Sequence, residues 1–210
     1  MKKLTLFLLL NIFFLHLFSQ DTIRLKHTNY TTVFSKSKKY PVLVEWWVTK
    51  KRVTCASPIM RTDNFERDPL LPKETDLLLN YKGSGYDRGH MCPAADNQCD
   101  GIVPMNECFY FSNMAPQLHS LNAGDWKSLE TLTREESKTL DSLHVWAGNI
   151  GAIMKINNLT IPEYCWKVIY YPKTKKYIAY LFKNDGSKPD GIENNKVPLS
   201  QITKLTGFKF

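Results

Sequence analysis

An arginine and a histidine lie two residues apart in a stretch that is rich in glycine. Arg88 and His90 follow the turn-forming sequence Lys82-Gly83-Ser84-Gly85 and precede Pro93. Glycine and proline break helical continuity, so the segment is expected to be irregular or extended. Residues two apart in an extended segment point to the same side, and a cation and an imidazole would there meet one anion, such as a phosphodiester. A lone histidine is more often a surface or satisfied core residue than a catalytic one, so the rest of the chain must supply the context.

A second set of polar residues recurs at a spacing of four further along the chain. Apolar residues repeat every three or four positions over 122–140, which predicts a helix. Asn122, Trp126 and Glu130 then fall along one side of that helix, and the two polar side chains could address one site. The alternative is that Asn122 is an N-cap and Glu130 a solvated surface acid.

Two further segments supply polar residues from outside these motifs. The apolar run Glu107–Ser112 is predicted to be a short strand that delivers Asn113 at its end and is stopped by Pro116. Residues 57–75 contain three prolines and many charges, which predicts a long loop. Long loops in compact domains are usually functional or disordered. Their arginines, Arg61 and Arg67, could face a phosphate or be solvated.

The remaining segments predict the framework that must position these residues. The dense apolar run 42–48 is predicted to be a core strand, and 144–151 a strand that ends in a glycine turn. Residues 164–171 and 176–182 are predicted to form a hairpin. The polar stretch 21–40 is an approach segment or an edge strand. Together these elements predict an α+β fold with an antiparallel, strand-rich core and one prominent helix.

The N-terminus has the pattern of a secretory signal peptide. Lys2 and Lys3 precede an apolar run from Leu4 to Phe18. That run is short for a membrane span, which needs about 20 apolar residues. We therefore expect a signal peptide at 1–19, a single domain at 20–210, secretion or a periplasmic location, and no stable membrane association after cleavage. A retained N-terminal anchor is the alternative.

Composition and charge narrow the class of protein. With 43% hydrophobic and 23% charged residues, the chain is globular rather than disordered. The formal net charge is +8, and removal of Lys2 and Lys3 lowers it by 2 to +6, because residues 1–19 contain no acid. A basic balance favours an anionic partner such as nucleic acid, but it carries no information about specificity.

Five cysteines leave two alternatives open. An exported chain can form disulfides, and an odd number leaves at least one thiol unpaired within a monomer. Cys92, Cys99 and Cys108 could contain one disulfide with one cysteine left over. They could instead join His90 as four ligands of a structural zinc module, although this spacing fits no common zinc finger.

Several motifs, taken in order, resemble those of the DNA/RNA non-specific endonucleases. The matching segments are Asp87-Arg88-Gly89-His90, Ser112-Asn113-Met114-Ala115-Pro116-Gln117, Leu121-Asn122-x-Gly124-x-Trp126-x-x-Leu129-Glu130 and, upstream, Arg61-x-Asp63-x-Phe65-x-x-Asp68-Pro69. This family includes the mitochondrial endonuclease G type and carries a ββα-metal active-site motif. The resemblance covers about residues 40–182 in the order of the family. A match to a single motif would be weak evidence, but a chance match to several motifs in the same order is a poor explanation of the resemblance.

The resemblance implies a role for each residue. His90 would be the general base that takes a proton from the attacking water. Asn122 would be the one direct protein ligand to a divalent cation: Mg²⁺, which prefers oxygen ligands and retains several waters, or else Mn²⁺ or another ion. Glu130 would hold a water of that ion, and Asn113 would orient the histidine or the site. The ion would stabilise the leaving 3′-oxygen.

The resemblance also implies how the substrate is bound and what is released. Arg61 and Arg88 would place the phosphate and stabilise its growing charge; Arg61 is preferred to Arg67 for its spacing to Phe65. DNA and RNA would both be substrates, with weak sequence preference and 5′-phosphate products. The enzyme would act as a monomer or homodimer. The alternative is a catalytically silent nucleic-acid-binding protein on the same fold.

Overall fold

A computed structural model describes residues 21–71, 80–188 and 190–210. Within these ranges, seven strands form one antiparallel sheet. They are β1 (Thr22–Lys26), β2 (Tyr30–Ser35), β3 (Tyr40–Thr49), β6 (Ser142–Ile150), β9 (Tyr164–Tyr171), β10 (Lys176–Lys183) and β11 (Lys196–Val197). Their order across the sheet is β1-β2-β3-β6-β9-β10-β11. The predicted α+β class with an antiparallel core is therefore confirmed.

Four shorter strands and five helices complete the described part of the chain. Strand β4 (Asp87–His90) pairs with β5 (Met114–Gln117), and β7 (Met154–Ile156) pairs with β8 (Leu159–Ile161). The helices are α1 (Lys50–Val53), α2 (Ile102–Glu107), α3 (His119–Leu121), α4 (Lys127–Leu140) and α5 (Leu199–Thr206). None of the helices in the described ranges is long and apolar enough to cross a membrane. The expected signal peptide, 1–19, lies outside these ranges.

The central sheet is covered on both faces, which explains the dense apolar run in β3. Val44, Trp46 and Val48 lie in the core cluster shared with helix α4. Leu43 points the other way and packs in the cluster that contains Ile202 of helix α5. A strand buried on both faces has a continuous rather than an alternating apolar pattern. The strands predicted from 42–48 and 144–151, and the hairpin of β9 and β10, are confirmed.

Two predictions about local structure are wrong. The run Glu107–Ser112 is not a strand: helix α2 ends at Glu107, and a 3₁₀ turn follows at Phe111–Asn113. Pro116 does not stop a strand but lies within β5, opposite Arg88 of β4. A two-stranded sheet has only edge strands, so a residue without an N–H is tolerated there.

The polar stretch 21–40 forms the two strands β1 and β2 at one edge of the main sheet.

The prominent helix begins earlier than predicted and is interrupted. Helix α3 starts at His119, a wide π-helical turn spans Asn122–Trp126, and α4 continues to Leu140. Gly124 has non-helical dihedral angles (φ −96°, ψ −117°) and makes the break. Asn122 has helical dihedral angles and follows the helical turn of α3, so the N-cap alternative is wrong.

Neither the disulfide nor the zinc site expected for the cysteines is present among the described residues. Cys55 and Cys99 form a disulfide across a sequence separation of 44 residues. Cys92, Cys108 and Cys165 are buried free thiols. The proposed disulfide among Cys92, Cys99 and Cys108 is therefore wrong. The zinc module is wrong as well, because Cys99 has no thiolate to offer while it is bonded to Cys55.

Candidate active site

Five of the six candidate residues line one cleft of about 330 Å³. They come from the loop after α1, from strand β4 and from the helix that follows β5. The residues are Arg61, Arg88, His90, Asn122 and Glu130. Asn113 is buried elsewhere. Lys127 and Arg134, which the motifs did not single out, also line the cleft.

His90 ends strand β4 and is 8% exposed. The rings of Phe109 and Phe65 pack against it edge-on, with centroids at 5.0 and 5.7 Å. Burial, together with the guanidinium groups of Arg61 and Arg88, lowers the pKa of His90 to about 3, although a hydrogen bond between its ring and the Arg88 backbone acts in the opposite direction. Its Nε2 has no hydrogen-bond partner among the described residues. The imidazole is therefore neutral at physiological pH, with one nitrogen free to accept a proton.

Aromatic rings hold the two arginines beside this histidine. The Arg88 guanidinium lies 3.9 Å from the centroid of the Phe65 ring, and that of Arg61 lies 4.9 Å from the Phe109 ring. Such cation–π contacts favour a fixed position for a long side chain. Arg61 also donates a 2.6 Å hydrogen bond to Asp63. Two cations are thus available to one anion next to His90.

Arg67 is directed away from the cleft. Its guanidinium donates to the backbone carbonyl of Leu71. The structure therefore brings Arg61, and not Arg67, to the cleft, in agreement with the spacing argument.

Asn113 contacts the backbone that follows His90. Its Oδ1 accepts a 2.9 Å hydrogen bond from the N–H of Cys92, and its Nδ2 donates to the carbonyls of Cys92 and Cys108, both at 2.8 Å. The N–H of Met91 donates to the Asn113 carbonyl at 2.9 Å. Asn113 therefore supports the histidine through the main chain and does not line the cleft. Cys92 is part of the same buried support.

Asp87, at the start of β4, orients the amide of Asn122. Its Oδ2 accepts hydrogen bonds from Asn122 Nδ2 at 2.9 Å and from His119 Nδ1 at 2.8 Å. The Asn122 amide is therefore fixed with its oxygen left over as a ligand. The described residues contain no group of three or more His, Cys, Asp or Glu side chains arranged around a common metal position. One amide oxygen with water fits Mg²⁺, which prefers oxygen and retains several waters.

Glu130 lines the cleft and also belongs to a buried group of charged side chains, whose other members are Lys167, Asp96 and Arg134. Its Oε1 lies 3.9 Å from Nζ of Lys167, a strand β9 residue whose side chain is 1% exposed. Burial raises the pKa of Glu130 to about 7, and the Lys167 ammonium opposes this shift. Asp96 lies nearby and accepts hydrogen bonds from Arg134 at 3.2 Å and from Trp46 Nε1 at 2.9 Å.

The motifs missed these supporting residues for different reasons. Arg134 lies four residues after Glu130, so helical periodicity would have placed it on the same face. Lys167 interrupts the apolar run of β9, which is a signal of a buried charge, but its partner lies 37 positions earlier in the sequence. Asp87 is the first residue of the Asp87–His90 motif, but the sequence gives no sign that it contacts Asn122. Asp96 gave no local signal.

Strands β4 and β5 and the helix after them form a ββα unit around this cleft, and the whole fold is that of a ββα-metal nuclease. A solved structure of an EndoG/EndoGI complex has a similar chain, with a TM-score of 0.81 and 25% sequence identity, covering 89% of this chain and 84% of that one. A family model described as DNA/RNA non-specific endonuclease matches residues 14–210. The chain belongs to this family.

Curated relatives include nucleases from a fungus and a bacterium. Nuclease C1 of Cunninghamella echinulata var. echinulata is 32% identical over 167 residues, covering 70% of this chain. The Nuclease of Serratia marcescens is 30% identical over 197 residues, covering 85% of this chain. The match spans 65% of the fungal protein and 71% of the bacterial one.

Proposed function

We propose that this chain is a metal-dependent endonuclease that hydrolyses phosphodiester bonds in both DNA and RNA and leaves 5′-phosphate ends. One observation carries the proposal: a neutral His90, whose buried Nε2 has no hydrogen-bond partner among the described residues, lines the same cleft as two guanidinium groups and the oriented amide of Asn122. This set combines a base, two phosphate-binding cations and an oxygen ligand for a cation. Hydrolysis of a phosphodiester requires those functions together.

His90 accepts the proton of the attacking water at Nε2. In the free protein burial lowers the pKa of His90, and the charges of the two arginines lower it further. A bound phosphodiester carries a negative charge that offsets the positive charge of Arg61 and Arg88, so the pKa of His90 rises when substrate is present. The base therefore becomes stronger at the moment when it has a water to deprotonate.

Arg61 and Arg88 bind the non-bridging oxygens of the phosphate, where charge grows in the transition state. Asn122 would hold Mg²⁺, or Mn²⁺ or another divalent ion, through its amide oxygen, and Glu130 would accept a hydrogen bond from water around that ion. When bound, the ion supplies Lewis-acid stabilisation of the leaving 3′-oxygen. Asn113 and Asp87 keep His90 and Asn122 in place.

Phosphate-directed binding accounts for the proposed breadth of substrate. The cleft residues address the phosphate and the cation, and contacts of that kind carry no sequence information. We further propose that residues 1–19 are a signal peptide, that the domain 20–210 is secreted or periplasmic, and that it keeps no stable membrane association. We also propose that the enzyme acts as a monomer or a homodimer.

The test is cleavage of plasmid DNA and of RNA by the purified protein with Mg²⁺ or with EDTA. Wild type should cut both polymers only with the metal, and His90→Ala should lose cleavage. Lys204→Ala, at an exposed position of α5, serves as the matched control and should cut like wild type. Intact polymers at micromolar protein with Mg²⁺ would refute the proposal, as would a His90→Ala variant that cuts equally well. Binding in EDTA without cleavage in Mg²⁺ would favour the catalytically silent alternative.

A further inference from the structure

Lys167 is a charged residue in the main core of the protein. It lies on the face of β9 that packs under helix α4, between Cys165 and Ile169 of the same strand, and its side chain is 1% exposed. Removal of an ammonium group from water is costly, and an apolar residue of similar volume is often as stable or more so at such a position. Stability of the core alone therefore does not explain a lysine there.

The surroundings of Lys167 direct its charge towards Glu130. Its Nζ lies 3.9 Å from Glu130 Oε1 and 4.0 Å from the centroid of the Trp126 ring. The ring face attracts a cation from one side, while the carboxylate attracts it from another. Trp46 is the more distant aromatic neighbour, at 5.9 Å.

The second acid of the buried group is already paired. Each carboxylate oxygen of Asp96 accepts a hydrogen bond, one from Arg134 and one from Trp46. Lys167 is thus the cation closest to Glu130, and Arg134 is the one that pairs with Asp96. The buried group consists of two acid–base pairs, and only the first of them has its acid in the cleft with Asn122 and His90.

We propose that Lys167 is a positioning residue for the nuclease reaction: its ammonium stabilises the ionised form of Glu130 and holds Oε1 of that carboxylate at the base of the cleft. The inference rests on the proposed function, in which Glu130 accepts a hydrogen bond from water around the divalent ion. Loss of the ammonium leaves a buried carboxyl group whose ionised form has lost its nearest cation. Protonated Glu130 would present an O–H group in place of an acceptor oxygen.

The first measurement requires neither metal nor substrate. The carboxyl carbon of Glu130, assigned with Glu130→Gln, is followed by ¹³C NMR as a function of pH in the metal-free protein. The groups that face it are Lys167, Asp96, Arg134 and Trp126. In Lys167→Met the titration midpoint should rise by about one pH unit or more, whereas Lys167→Arg, which keeps the charge, should leave it within a few tenths of a unit. An unchanged midpoint in Lys167→Met would overturn the proposal.

The second measurement is the pH profile of cleavage with saturating Mg²⁺. Lys167→Met should lose about tenfold or more at pH 7 and recover part of that loss by pH 9, while Lys167→Arg keeps most of the activity. A loss equal at every pH would indicate general damage and refute the assigned role. In a Glu130→Gln background, Lys167→Met should cause little further loss, because the group it acts on is absent.

The two measurements separate this proposal from the proposed function. If wild type does not cleave nucleic acid, the nuclease assignment fails, while the NMR titration still decides whether Lys167 controls the ionisation of Glu130. If Lys167→Met does not fold, Lys167→Gln and Lys167→Arg provide the neutral and charged comparison, with circular dichroism as the check of folding.

Discussion

The indole Nε1 of Trp126 donates a 3.0 Å hydrogen bond to the backbone carbonyl of His90. It joins the last residue of β4 to the π-helical turn that begins at Asn122. His90 and Asn122 thus lie on two segments that this buried hydrogen bond holds together. Their relative position depends on a contact that involves the backbone of His90 and the side chain of Trp126, not the imidazole or the Asn122 amide.

Trp126→Phe is expected to lower activity by about tenfold or more while the fold is retained. The phenyl ring keeps most of the packing but leaves the His90 carbonyl unpaired, at a cost of about 1–3 kcal/mol. Urea unfolding measures the stability, and steady-state cleavage measures the rate. Activity equal to wild type would show that the contact does not set the position of His90.

Asn122→Ala is expected to reduce cleavage strongly and to raise the Mg²⁺ concentration needed for half-maximal rate. The substitution removes the amide oxygen of Asn122, whose Nδ2 donates to Asp87 at 2.9 Å. Rates measured across a series of Mg²⁺ concentrations test this. The matched control is Asn194→Ala, at an exposed site away from the cleft, for which an unchanged Mg²⁺ requirement is expected.

Glu130 is expected to set the acid side of the pH profile of cleavage. Burial raises its pKa from 4.5 to about 7, so the acceptor carboxylate is half formed near neutral pH. The rate should therefore fall about tenfold for each pH unit below 7 and level off above about 8. Cleavage rates between pH 5 and 9 at constant ionic strength measure the profile. A flat profile from pH 5 to 8 would contradict the assignment.

The same shift predicts how the stability of the metal-free protein depends on pH. A carboxyl group with a raised pKa in the folded state stabilises the fold fully below its unfolded value of about 4.5, and this contribution is lost as the pH rises through 7. Relative to Glu130→Gln, wild type should lose stability across that window. Urea unfolding at pH 4.5, 6 and 8 tests the sign; a relative gain would contradict it.

Gly89→Ala is expected to destabilise the β4–β5 pair by about 1–3 kcal/mol. A methyl group at this position would lie 2.0 Å from Oε1 of Gln117, whose side chain is buried. Thermal unfolding measures the loss. The shortened side chain of Gln117→Ala should restore much of the stability lost in Gly89→Ala, and failure to do so would mean that the backbone, not the side chain, resists the methyl group.

The sequence predicted the residues that line the cleft better than the residues that hold them in place. Glycine and proline around Arg88 and His90 correctly indicated an extended segment, and helical spacing placed Asn122 and Glu130 on one side. Those inferences are local. The π-helical break at Gly124 was not predicted, because the apolar spacing continues across it.

Three further misses involve partners that are distant in sequence. Asn113 binds the backbone of Cys92, Cys55 pairs with Cys99, and Lys167 approaches Glu130 from another strand. Periodicity reports which face a residue lies on, but it carries no information about what is packed against that face. Sheet pairing and chain crossing decide those contacts.

The disulfide between Cys55 and Cys99 has a consequence for the loop that carries Arg61. Cys55 lies six residues before this arginine, and Cys99 lies nine residues after His90; the N–H of Ile59 also bonds to the Gln98 carbonyl at 2.8 Å. The disulfide and this hydrogen bond therefore link the start of the loop to the segment that follows His90. Reduction of the disulfide would remove this covalent link and leave the hydrogen bond between Ile59 and Gln98. We therefore expect Arg61 to be held less firmly in the reduced protein than in the oxidised one.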